Sequence, residues 1–246
     1  MPGASPSREG KILLILAFET SAKAGSVALM DDSKLLGESY QNTGLTHSQT
    51  LLLMAQQLLS GCGKLPQDVT AVAVAQGPGS FTGVRIGVAA AKGFSWGAEL
   101  PCYGVSTLEA MAKHLGIWQG YICPVMDARR GQVYNAVFHV ECGKCTRIRE
   151  DRAISLQDLG AELQNFEEPI FLVGDGSNLC YNTLLEEVPH LVMPPEHRIH
   201  QRAVGVAILA ARQAEAGTVP SGAELTPNYL RLSQAEREKL EKENKR

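Results

Sequence analysis

Ala75-Gln76-Gly77-Pro78-Gly79-Ser80-Phe81-Thr82-Gly83-Val84-Arg85-Ile86-Gly87 decides how this chain is read. An alternating apolar run, Val69 to Ala75, precedes it and reads as a strand. The helix that follows, from about Thr82 to Trp96, is apolar on nearly every side, with charge only at Arg85 and Lys92. Such a helix is buried on more than one side. Gly83, Gly87 and Ala91 fall at i, i+4 and i+8, a stripe almost free of side chains that admits another helix closely. One side must cover the chain's own sheet, so the second apolar side is expected to receive a partner.

Upstream, the unbroken apolar run Lys11 to Phe18 predicts a strand buried on both faces. Strands at Ser26 to Met30 and Lys34 to Tyr40 complete a meander, and His47 to Ser60 reads as a helix. Leu53 falls on that helix's polar face, where it extends a docking surface. Downstream the pattern restarts. Ser106 caps a helix to Leu115; strands follow at Tyr121 to Met126, Gln132 to Val140 and Arg147 to Ala153. A helix from Leu156 to Phe166, a strand from Pro169 to Val173 and an alanine-rich helix from Val204 to Ala216 complete it. Three strands, helix, strand, helix, twice over, predicts an α/β protein with two similar βββαβα halves. That is the plan of the actin-like ATPase (ASKHA, ribonuclease H-like) fold, whose ligand lies between the halves. The expected division is a disordered tail 1–10, an N-terminal actin-like subdomain 11–105, a C-terminal one 106–232, and a charged tail 233–246. Helix 203–216 is free to pack back on the first subdomain.

A length of 246 residues accommodates this plan. The net charge of −3 supplies no global field toward nucleic acid or anionic lipid. No run reaches the roughly 20 apolar residues of a membrane span. The opening residues lack a signal core, and the chain is expected to be cytoplasmic with reduced cysteines. Cys142-Gly143-Lys144-Cys145 has half the spacing of a zinc site, but it sits between two strand-like runs and reads as a hairpin turn.

The glycine loop has two readings: a phosphate cradle before a helix, or a structural turn feeding a packed helix. It completes neither the dinucleotide fingerprint nor a Walker loop. Glu19-Thr20-Ser21 occupies the first strand-to-strand turn, where the actin-like fold carries Asp-x-Gly-Thr beside a metal-nucleotide. The carboxylate is kept and the glycine is missing. Glu19, Thr20, Arg85 and Asp175, the last between Gly174 and Gly176, are the candidate nucleotide-proximal residues. His47, and the pair His197 and His200, lack companions for a catalytic or metal site. Asp127, Arg129 and Arg130 cluster at a tight turn that suits a local salt bridge as well as a ligand.

Ile15 to Leu29, Gln76 to Gly93, Gly104 to Glu109 and Asp127 to Tyr134 together resemble the bacterial TsaB family, also called YeaZ. The resemblance runs from about Lys11 to Leu232. Its most specific segments are Gly77 to Arg85 and Asp127 to Gly131, and Asn228-Tyr229-Leu230-Arg231 also matches. It implies an actin-like fold and a place in the machinery that puts threonylcarbamoyl on the adenosine beside the anticodon of tRNA. In that family TsaB is not the catalyst: its paralogue TsaD binds iron or zinc and transfers the group, and the ATPase TsaE joins them. TsaD carries Gly-Val-Asn-His-Leu-Glu-Gly-His, with both histidines on the metal. Here the run is Gly104-Val105-Ser106-Thr107-Leu108-Glu109-Ala110-Met111, so Thr107 and Met111 stand at the ligand positions. A hydroxyl and a thioether are poor ligands for such an ion.

The resemblance therefore implies a noncatalytic subunit with no catalytic or metal residues. It would dock on TsaD, or on a second copy of itself, through a helical bundle, with TsaE in a ternary complex and tRNA met only through the complex. Leu53, Gly83, Gly87, Ala90, Ala91 and Phe94 are the expected interface. No cofactor is required, with weak or interface-dependent ATP or ADP left open. The rival is a metallopeptidase-like or actin-type small-molecule kinase enzyme.

Overall fold

β1 (Leu14–Glu19) is buried at every residue because helices cover both faces of its sheet, as the unbroken apolar run predicts. The computed structural model describes residues 13–115 and 118–231; the expected tails, 1–10 and 233–246, lie outside the described residues. The first half continues through β2 (Gly25–Asp31), β3 (Lys34–Gln41), α1 (His47–Gly61), β4 (Ala71–Gly77), α2 (Phe81–Gly97) and β5 (Cys102–Ser106). α3 (Thr107–His114) then leads to β6 (Gly120–Arg129), β7 (Gln132–Glu141), β8 (Lys144–Ser155), α4 (Leu156–Leu163), β9 (Ile170–Val173), α5 (Ser177–Leu184), β10 (Leu191–Val192), α6 (Glu196–Ile199) and α7 (Ala203–Glu215).

The first sheet has the order β3-β2-β1-β4-β5 and the second β10-β9-β6-β7-β8, the same layout from the opposite edge. In each, an antiparallel meander is extended by two parallel strands. The molecule thus has the actin-like ATPase fold with two βββαβα halves. Side chains alternate across β1: Leu14, Leu16 and Phe18 meet α1 and α2, whereas Ile15 and Ala17 meet α7. In the second half, Cys123 and Val125 of β6 face α4 and α5, and Ile122 and Met126 face α3.

Each half's closing helix therefore covers the other half's sheet. α3 follows the first sheet but packs its Leu108, Met111 and Ala112 on the second. α7 follows the second sheet but lies on the first, through Ala203, Ala207, Ala210 and Ala214. Its start is fixed there: the Ser26 hydroxyl accepts the Ala203 amide at 2.7 Å, and Arg202 pairs with Glu38 at 2.6 Å.

Four short elements, β5, α5, β10 and α6, were not expected from the sequence, and α4 stops at Leu163 rather than reaching Phe166. At two to eight residues they are too short to display a period. Cys142 and Gly143 form the two-residue turn of the β7–β8 hairpin with φ of 51° and 75°, as the hairpin reading expects.

Candidate functional site

α2 has three sides, and each meets something different. Gly83, Gly87 and Ala91 face inward. A Cβ on Gly83 would lie 2.1 Å from the Thr20 carbonyl oxygen, and one on Gly87 2.4 Å from the Thr20 hydroxyl. The expected partner stripe is thus the seat of α2 on its own sheet, which corrects the placing of Gly83, Gly87 and Ala91 in an interface. The glycines are needed because backbone, not another protein, closes against them.

The second side, which carries Arg85 and Lys92, lies under the chain's own C-terminal strap. Lys92 Nζ donates to the Ala223 and Leu225 carbonyls at 3.2 and 3.0 Å, and Arg85 Nε to the Tyr229 hydroxyl at 2.7 Å.

The third side is open. Ala89, Gly93 and Gly97 form a second i, i+4, i+8 stripe, and all are exposed. A Cβ on Gly93 would meet nothing within 4 Å. Trp96 beside it is 86% exposed, and Leu52 and Leu53 on α1 are 60% and 53% exposed. Ala90 and Phe94 are half-buried where α2 leans on the α1 layer. Of the six expected interface residues, Ala90 and Phe94 border this side and Leu53 is exposed on α1; Leu52, Ala89, Gly93 and Trp96, exposed as well, lie outside the expected set.

The glycine loop spends its donors internally. Ser80 N donates to the Ser21 carbonyl at 2.7 Å, and the Ser80 hydroxyl caps α2 by accepting from Gly83 N at 3.3 Å. Of the two readings, the structural turn fits these bonds.

Across the two halves, the end of β1 and the turn after β9 bring the carboxyls of Glu19 and Asp175 within each other's electrostatic reach. Glu19 ends β1 and is 1% exposed. Its Oε1 accepts the Ser21 amide at 2.6 Å, while Oε2 has no hydrogen-bond partner among the described residues. Burial pushes its carboxyl up to about 7; the Ser21 hydroxyl and amide pull it part-way back, and the charge of Asp175 adds to the rise. The Ser21 hydroxyl acts here as a nearby dipole, since it completes no hydrogen bond among the described residues.

Asp175, in the turn after β9, is exposed to solvent although protein groups crowd around its carboxyl. Its carboxyl is also raised, first by desolvation and then by Asp127, against the Gln201 amide 3.4 Å away. Glu19 and Asp175 therefore share one electrostatic neighbourhood. Thr20 lies beside them with its hydroxyl committed to the Gly83 carbonyl at 2.8 Å. Arg85 does not join this group: it is on the strap side of α2. The proposed nucleotide-proximal set is thus split: Glu19, Thr20 and Asp175 lie near one another and Arg85 lies elsewhere.

Thr107 and Met111 are 0% and 3% exposed on the inner face of α3. Among the described residues no group of three or more His, Cys, Asp or Glu side chains could hold a metal ion. The donor set at these positions does not fit iron or zinc. His47 bonds the Ala22 carbonyl at 2.7 Å and His200 bonds Glu196 at 3.0 Å, so both have local structural partners.

One arrangement was not legible beforehand. The glycine loop, the Asp127–Gly131 turn and the Asn228–Arg231 segment converge. Asn228 N donates to the Gln76 carbonyl at 2.7 Å, and Tyr229 stacks on Phe81 with centroids 4.3 Å apart. Arg231 Nη1 then donates to the Ala128 carbonyl at 2.6 Å. The strap starts on the first half and ends on the hairpin of the second.

Comparison with known proteins completes the description. A family model described as TsaD, tRNA N6-adenosine threonylcarbamoyltransferase, matches residues 41–239. The tRNA threonylcarbamoyladenosine biosynthesis protein TsaB of Bacillus subtilis is 32% identical over 233 residues, 93% of this chain and 99% of that protein. The Escherichia coli protein of the same name is 42% identical over 128 residues, 50% of this chain and 54% of that protein. Among solved structures, YeaZ from Pseudomonas aeruginosa superimposes with a TM-score of 0.71 at 25% identity, covering 89% of this chain and all of that one.

Proposed function

The chain belongs to the TsaB (YeaZ) family, and we propose that it serves tRNA threonylcarbamoyladenosine biosynthesis as a noncatalytic subunit that docks a TsaD-type transferase. The observation that carries this reading is the open side of α1 and α2. Trp96 stands exposed beside a helix stripe, Ala89-Gly93-Gly97, narrow enough for a second helix to approach, and the neighbouring helix α1 exposes Leu52 and Leu53. Exposed aromatic and leucine side chains around a small-residue groove supply the anchors that dominate protein interfaces. Leu53, Ala90 and Phe94 belong to the proposed docking face.

The noncatalytic part of the proposal rests on Thr107 and Met111, whose side chains cannot replace two imidazoles. In this reading the subunit organises TsaD in the cytoplasm, with TsaE as the third member and tRNA reached through the assembly. A second copy of the chain would use the same face when TsaD is absent. Any ATP or ADP would sit where that interface completes a site, because Arg85 stands apart from Glu19 and Asp175.

The test is capture of the TsaD-type protein by the full chain, beside the pair Leu53→Asp and Trp96→Asp. The wild type should retain the partner and the pair should lose it while keeping its circular dichroism and melting temperature. Retention at wild-type yield by a folded pair would sink the interface. Metal-dependent turnover by the isolated chain would sink the noncatalytic assignment.

A further inference from the structure

The net charge of −3 conceals a local concentration of the opposite sign. Where the strap meets the second half, Arg85, Arg129, Arg130 and Arg231 stand together. Arg231 holds the hairpin by donating to the Ala128 and Arg129 carbonyls at 2.6 and 3.4 Å. Two residues before it, the Tyr229 hydroxyl accepts from Arg85 Nε at 2.7 Å. Arg129 and Arg130 lie exposed at the hairpin tip. Among the described residues none of the four arginines has a salt-bridge partner. The carboxylate at hand, Asp127, accepts the Arg129 amide at 2.7 Å, a bond to backbone rather than to a guanidinium.

Two further features bear on what this surface meets. Arg129 and Arg130 have φ of 63° and 57°, a left-handed backbone that Asn or Gly adopts at lower cost. The tip thus carries two charges where an easier turn residue would fit. Beside them Tyr229 is 40% exposed, with the Arg85 guanidinium 5.6 Å from its ring. Guanidinium groups interleaved with an accessible aromatic ring match a chain of phosphates with bases between them.

We propose that the arginine-bearing hairpin tip and the adjoining strap contact the sugar-phosphate backbone of the RNA on which the assembly acts. This rests on the function proposed above, and it gives the subunit a second role besides docking. The contact is one of position and charge: Arg129 and Arg130 each meet a phosphate, Arg85 and Tyr229 flank the path, and Arg231 holds the tip in place.

The test uses the full chain assembled with its TsaD-type partner, and the full chain alone, with an unmodified tRNA transcript in filter binding across a salt series. Arg129→Asn with Arg130→Asn removes both charges while suiting the left-handed turn. Affinity should fall on the order of tenfold, and the slope of log affinity against log salt should shrink by roughly 1.5, for two phosphates released. Arg129→Lys with Arg130→Lys should keep most of the slope. Unchanged affinity and slope in the asparagine pair, with partner capture intact, would overturn this inference and leave the proposed function standing. Loss of partner capture with tRNA binding unchanged would also overturn it, by marking the tip as a protein contact. If the wild type captures no partner, the proposed function fails, and the chain alone decides here: weaker tRNA binding by the asparagine pair supports the contact, and parity refutes it.

Discussion

The two halves cover sheets of equal strand number with very different helices. In the second half, α4 and α5 are 8 residues each, and in the first, α1 and α2 are 15 and 17. Eight-residue helices seal the second sheet's face, whereas α1 and α2 bury residues from Leu51 to Leu59 and from Gly83 to Ser95 and still present an exposed side. They carry Trp96 at 86% exposure, whereas α5 exposes only Leu179, at 40%, and its C-terminal cap Leu185, at 43%. Equivalent places in one fold thus hold a packing layer in one half and an outward surface in the other. The difference separates what the fold requires from what the proposed docking would use.

The sharpest way to break this comparison is to charge each surface in turn. Leu53→Asp with Trp96→Asp should cost at least about 3 kcal/mol of partner affinity, roughly a hundredfold or more, as for interface anchors, read by calorimetry. Leu179→Asp on α5 should leave that affinity unchanged. Equal losses from both would erase the distinction between the halves.

Next in size is the contrast between the two glycine stripes on α2. Gly83→Ala drives a methyl into the Thr20 carbonyl and should cost toward the upper end of the roughly 1–3 kcal/mol of overpacking. Gly93→Ala meets open space and should stabilise the free chain by about 0.5–1 kcal/mol. Urea unfolding checks both; a harmless Gly83→Ala would show that the seat of α2 is misplaced.

The turn at the end of β1 differs from its counterpart at the end of β6 in the same manner: Glu19 is buried, Asp127 exposed. Because the folded Glu19 binds its proton more tightly than its ordinary value of 4.5, folding is favoured below that pH. That contribution is lost as pH rises through about 7. Glu19→Gln should remove the dependence and exceed the wild type by about 3 kcal/mol near pH 8, in thermal melts across pH. Parallel curves for the two proteins would contradict the burial argument.

The smallest expected effect is on the outer face of the second half. Leu179→Asp should shift stability by no more than about 0.5 kcal/mol, as for ordinary surface sites, by urea midpoint. A larger loss would mean that α5 is sealing something.

The sequence made the doubled layout legible because long apolar runs and a full helical period survive without tertiary information. It did not show which side of α2 faces inward. Gly83-Gly87-Ala91 and Ala89-Gly93-Gly97 have the same spacing, and only the position of Thr20 decides between them. Glu19 reads in sequence as a degenerate phosphate turn; its proton affinity is raised first by burial, with a smaller push from Asp175, which arrives from the other half. The junction of Arg231 with the Ala128 carbonyl has no local signature, since strap and hairpin lie far apart along the chain. α5 and α6 are too short and polar to announce themselves.

The most direct measurement is hydrogen–deuterium exchange of the full chain with and without its TsaD-type partner, followed by peptide mapping. The account predicts that added protection concentrates in residues 47–61 and 81–97 and leaves 156–163 and 177–184 unchanged. Protection over the second half's helices instead, or none over the first half's, would contradict it.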